Sequence, residues 1–128
     1  MSIGSDGRAS VASGFPFEIE VADVDGQRNG VMFYGLGSFV APWGSGGTSY
    51  LCVNAPRQRT GVSNTGGTTA VCDGRLAVDF NAFIAASPNA LGSPFAAGQV
   101  YFAQGWMRDP GAPKDSNLSN GLQFPLGP

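Results

Sequence analysis

The sequence has no histidine, a single lysine (Lys114), two cysteines, and charged side chains at only 12% of its 128 positions. Each scarcity removes a class of chemistry. Without histidine there is no Ser-His-Asp or Cys-His nucleophile and no imidazole-ligated zinc. A net charge of −2 supplies no basic face for phosphates, so no nucleic-acid partner is expected. No window approaches the roughly 18 apolar residues that a helical span requires, so no membrane span is expected either. The segment Met1–Arg8 lacks the apolar stretch of a secretory signal. An exported chain is therefore expected to have lost its signal already or to end a longer protein.

Charge at about half the usual 25% leaves the surface to Ser, Thr, Asn, Gln and Gly. With scarce lysine and an even cysteine count, that composition points to an extracellular or cell-surface location. Cys52 and Cys72 each sit in a short apolar stretch. A disulfide between them would close a loop of about 20 residues and stabilise the fold by roughly 3 kcal/mol. The other reading is two free thiols buried as small hydrophobes. A spacing far from CxxC, with no further soft ligand, argues against a redox or metal role.

What the chain does contain is 20 glycines, 9 prolines and 42% hydrophobic residues, enough apolar material for one core. Residues 1–14 are small and polar and read as a flexible lead-in. From Phe15 to Ala22 apolar residues alternate with Glu18 and Glu20, the pattern of a half-buried strand. Asp23–Gly30 is turn chemistry, and Gly30–Leu36 is a continuous apolar run expected to be central. The two strands suggest an antiparallel hairpin with a long loop. Residues 37–48 read as loop, 49–54 and 69–72 as short strands, and Arg57–Val62 as an edge strand with charges facing water. Asp73-Gly74 signals a tight hairpin before Leu76–Phe80, and residues 81–86 suit a helical turn. Gln99–Arg108 is the strongest strand, with Trp106 expected in the core, and Gly121–Leu126 is the last. Residues 15–128 are thus expected to form one antiparallel β-sandwich of seven to eight short strands with long Gly/Pro-rich loops.

Three blocks carry a resemblance: Leu76–Phe83, Gly92–Pro113 with its Tyr101-Phe-Ala-Gln-Gly-Trp-Met-Arg-Asp109 strand, and Asn117–Phe124. Together with Phe33-Tyr34-Gly35 and Leu51-Cys52-Val53, they resemble uncharacterised C-terminal domains of large secreted proteins from environmental bacteria. The resemblance covers roughly residues 30–128 and brings no activity and no catalytic residues. Many such domains end in Leu-Cys-Pro, whereas this chain ends Leu126-Gly127-Pro128. Cys52–Cys72 is then the one pairing available within the chain.

Two residue groups are candidate sites. Glu18, Glu20, Asp23, Asp25 and Asn29 gather oxygen ligands around a Gly-containing turn, as calcium loops do, although no Glu stands at the twelfth position. Trp43, in a Gly-rich loop, and the nearby Tyr50 suit an aromatic platform for a sugar. Catalysis would have to come from carboxylates such as Asp73 and Asp79, or from a bound ion, and spacing locates no such pair. The leading expectation is a secreted, non-catalytic binding or surface-association module whose partner is a glycan or cell-surface polymer. The alternatives are a small calcium-assisted hydrolase of esters, lactones or glycosides, and a structural protein that self-assembles as a homo-oligomer through weakly defended strand edges.

Overall fold

The alternation after Phe15 becomes a strand with one dry and one wet face. In the computed structural model, which describes all 128 residues, Phe17–Val24 (β2) buries Phe17, Ile19 and Val21 and turns Glu18 and Glu20 outward. It is the middle strand of a three-stranded antiparallel sheet, between Ser2–Gly7 (β1) and Gly74–Asp79 (β7). The apolar run becomes Asn29–Gly35 (β3), buried along nearly its whole length. It lies inside a five-stranded sheet, flanked by Arg57–Asn64 (β6) and Val100–Arg108 (β8). The far side of β8 is shared by Ser116–Leu118 (β9) and Leu122–Pro125 (β10). Ser38–Pro42 (β4) and Tyr50–Val53 (β5) form a separate two-stranded hairpin. The fold is all-β and sandwich-like, with one short helix, Phe80–Ala86 (α1).

The main core fills the space between the three- and five-stranded sheets. Ile19, Val21 and Leu76 from the small sheet meet Met32, Tyr34, Tyr101, Ala103, Met107 and Phe124 from the large one. Phe80 closes one end with the rings of Tyr34, Tyr101 and Phe124 at 5.0–5.4 Å, edge-on or tilted, the arrangement that ring quadrupoles favour. Both core tyrosines bond their hydroxyls, Tyr34 to the Leu91 carbonyl at 2.7 Å and Tyr101 to the Gln99 amide oxygen. Burial pushes both phenols above the ordinary tyrosine range.

Several expectations are corrected here. β2 and β3 do not pair as a hairpin: β2 belongs to the small sheet and β3 to the large one. The reason is visible in their faces. β2 has a wet face and suits an outer layer, whereas β3 is apolar on both sides and needs cover on both. Phe15 is 81% exposed and lies outside the strand. Of residues 69–72 only Thr69 pairs, in an isolated bridge to Gly26, and the rest are turn or bend, while residues 38–42 form β4 instead of a loop.

The segment assigned to a flexible lead-in supplies an edge strand, β1, whose side chains are nearly all exposed. Backbone pairing to β2 holds it, a force that composition does not report. Beyond it, buried Asn81 accepts from the Ser10 N–H at 2.8 Å and donates to the Arg8 and Phe15 carbonyls. One side-chain amide on α1 thereby satisfies three backbone groups of residues 8–15.

Candidate functional site

The large sheet has a second face, and it is only half covered. Strand pairing lays its residues in rows: Val62, Val31, Trp106 and Leu118 run across β6, β3, β8 and β9. The next row places Arg59 opposite Phe33 and Phe33 opposite Gln104. On the other side, Asn29 faces Asn64 and Arg108 faces Ser116. Arg59 and Val62 are three apart, so a regular strand would turn them to opposite faces. A bulge opposite Met32, at Thr60 and Gly61 (φ +120°), brings both to this one.

The β4–β5 hairpin covers one end of the face and forms a small second core in which Val53 meets Phe33 and Leu118. One buried side chain of β8 bonds to it twice. Gln104, fully buried, donates to the Tyr50 and Ser119 carbonyls, both at 2.6 Å, and accepts from the Cys52 N–H at 3.0 Å. All its polar atoms that face the hairpin are thus satisfied, as burial demands.

Between the hairpin and the uncovered strands lies an open groove of about 690 Å³. Its floor is Val31, Phe33, Trp106 and Leu118, with Leu51, Trp43 and Val62 at the sides and Asn29, Arg57, Arg59 and Arg108 supplying its polar groups. Trp43 is held firmly: its indole N–H donates to Ser116 Oγ at 3.0 Å, and the Lys114 ammonium lies 4.1 Å from its ring centroid. The loop after Trp43 packs so closely on Pro113 and Lys114 that a Cβ at Gly44 (φ +83°) would come within 2.9 Å of Pro113 Cβ. Glycine there lets the loop lie flat and hold the indole over the groove.

Of the two aromatics expected to form a platform, Trp43 lines the groove and Tyr50 does not. Leu51 points into the groove, so its neighbour Tyr50, on the same strand, faces away and is half exposed. The second indole is Trp106, expected in the core but half-buried on the outer face of β8. Its phase on β8 already separated it from Tyr101 and Ala103. What sequence reasoning missed was that this second face stays open. Arg57 and Arg59 do face water, as an edge strand should, but on the groove side.

The acidic corner does not assemble, which corrects the calcium expectation. Glu18 and Glu20 both bind Arg75, at 2.9 and 2.5 Å, and the two carboxylates push the guanidinium further up its range. Asp25 serves through its carbonyl, which accepts from the Thr65 hydroxyl at 2.6 Å, and Asn29 belongs to the groove. Asp23 adopts φ +58° at the end of β2. No three acidic or thiol groups come together in a metal-holding cluster, because the strand period sends Glu18 and Glu20 to the outer face of the small sheet while the turn follows the chain to the other sheet.

The expected Cys52–Cys72 disulfide is likewise corrected, for both thiols are free. Cys52 is in the hairpin layer, and Cys72 lies near the Asp25 carboxylate in the approach to β7, so the large sheet stands between their layers. Asp73 and Asp79 are both engaged by backbone N–H groups. Asp79 caps α1 through the Ala82 N–H and also accepts from the Phe17 N–H. Asp73 accepts from the Thr68 N–H at 2.7 Å, and that bond lowers its carboxyl below the usual range. Asp109 accepts from the Asn117 side chain.

No family model matches this chain, and neither the curated proteins nor the solved structures yield a match.

Proposed function

We propose that this chain is a non-catalytic binding domain that holds a saccharide in the groove between the β4–β5 hairpin and the outer face of the large sheet. The observation that carries the reading is the pair of half-buried indoles, Trp43 and Trp106, in one open groove with hydrogen-bonding Asn29 and arginine side chains beside them. Apolar ring faces for stacking, with a few fixed polar groups for orientation, are what a sugar surface requires. The groove lining contains arginine but no carboxylate, thiol or phenol, so it offers charge and donors and no group to shuttle a proton. That chemistry favours binding over hydrolysis. Scarce lysine, low charge and the resemblance to domains of secreted bacterial proteins support an extracellular or cell-surface place of work.

The test is a glycan array followed by calorimetric titration of any hit, with wild type, Trp43→Ala and Trp106→Ala. Loss of a stacking indole is expected to weaken binding about tenfold or more. Unchanged binding by both variants, each verified as folded, removes the groove from the reading.

A further inference from the structure

The groove concentrates positive charge in an acidic molecule. Of seven cationic side chains, Arg57, Arg59 and Arg108 line it, while none of the nine carboxylates does. The two ion pairs of the molecule both belong to Arg75, on the outer face of the small sheet. Three exposed guanidiniums therefore face one concavity without a carboxylate partner, in a chain of net charge −2. Surfaces shaped by solubility alone intersperse the two signs. Here they are separated, and the positive set shares its groove with the two indoles.

We infer that the ligand is an anionic saccharide, a chain bearing carboxylate or sulfate groups, an inference that rests on the saccharide reading above. Arg59 and Arg108 lie on strands two apart and are offset by four positions along them. Strand spacing and rise put their backbones about 16 Å apart on the diagonal, with Trp106 between them. A ligand that stacks on Trp106 and reaches both guanidiniums is thus several sugar rings long, with acidic groups on either side of the stacked ring.

Arg57 adds a third contact already fixed in direction. Its Nε donates to the Val53 carbonyl at 2.7 Å and its guanidinium lies 5.8 Å from the Phe39 ring centroid, so the terminal nitrogens are oriented before a ligand arrives. Guanidinium forks match the paired oxygens of carboxylate and sulfate alike. The overall negative charge opposes a densely charged nucleic acid, which needs a broad basic footprint. A sparsely charged glycan meets the three arginines without that penalty.

The experiment uses one backbone in three forms: a galacturonic acid hexasaccharide, its carboxyl-reduced neutral counterpart, and that neutral form after sulfation. Each is titrated into the full chain and into the Arg59→Gln/Arg108→Gln double variant, whose altered side chains are exposed. The acidic or the sulfated form is expected to bind at least about tenfold tighter than the neutral one, the scale of a hydrogen bond to a charged group. That advantage should shrink as salt is raised and fall at least about threefold in the double variant, which keeps Arg57. Whichever anionic form shows the advantage identifies the charged group. Equal affinity for all three forms overturns the charge assignment and leaves the saccharide reading standing. Binding by none overturns both, and tighter binding of a single-stranded oligonucleotide than of any form overturns the glycan assignment.

Discussion

Replacing Gln104 by leucine should loosen the hairpin that carries Trp43, because this one side chain stands where a strand ladder would otherwise be. Gln104 is fully buried and serves the Cys52 N–H and the Tyr50 and Ser119 carbonyls. Leucine fills nearly the same space but leaves all three backbone groups without a partner. An orphaned buried group costs about 1–3 kcal/mol, so three cost about 3–9 kcal/mol if they stay dry. The hairpin is a separate two-stranded sheet at the surface, so it can lift and let water reach Tyr50 and Cys52. That relief brings the expected loss to about 3–5 kcal/mol, a large share of the 5–15 kcal/mol typical of a domain. Urea unfolding gives the global term. Trp43 fluorescence and hydrogen exchange at the Cys52 amide report the hairpin itself. A loss under about 1 kcal/mol with the Cys52 amide still protected would refute the reasoning. Gln104→Glu adds a pH test. Burial, with two carbonyls facing the carboxyl group, raises its folded pKa above the unfolded value of about 4.3. Its stability contribution is then present below that value and lost as pH rises through the folded pKa, so the variant should be firmer at pH 4 than at pH 7.

Other consequences follow from single contacts. Gly26→Ala would drive a Cβ to 2.2 Å from the Thr68 carbonyl oxygen and should cost several times more than Gly46→Ala, which meets open space and carries only the strain of φ +74°, about 1 kcal/mol; paired thermal melts decide the order. Asp73 should titrate below the ordinary aspartate range by carboxyl NMR. Because its folded pKa is depressed, its contribution is present above about pH 4 and lost as pH falls through the lower value; Asp73→Asn should remove that part of the acid dependence. Alkylation after denaturation without reductant should add two labels per chain, and native labelling should reach the exposed Cys72 before the half-buried Cys52; one mass spectrum lacking both adducts would restore the disulfide.

How much of this was readable depended on how far each signal reaches along the chain. The β2 alternation and the two-sided apolar character of β3 are local, and both appear in the structure, the first from Phe17 onward instead of Phe15. So does the strand Gln99–Arg108, found as β8, and the helical turn near Phe83. Arg57 and Arg59, two apart on an edge strand, already share a face by period alone. Partnership is another matter. That β2 and β3 separate into different sheets depends on which strands can cover each face, a property of the whole set. Val62 joins Arg59 only because of the bulge at Thr60–Gly61, and no pattern of period two foretells it.

The same division holds for the site. Composition excluded imidazole chemistry, and strand period with turn residues made the fold legible as turn-rich β, because both act over a few neighbours. Trp43 stood out as a lone aromatic among glycines and does line the groove. Trp106, Arg108 and Asn29 join it from β8 and β3, and only pairing register sets them side by side. Register also disperses the acidic corner and keeps the two thiols in separate layers. Segregation of charge belongs to the surface as a whole: the chain is net negative, yet its one indole-lined groove is positive. That sign was decided in three dimensions, where Glu18 and Glu20 pair with Arg75 on one sheet and Arg57, Arg59 and Arg108 face no carboxylate in the groove on the other.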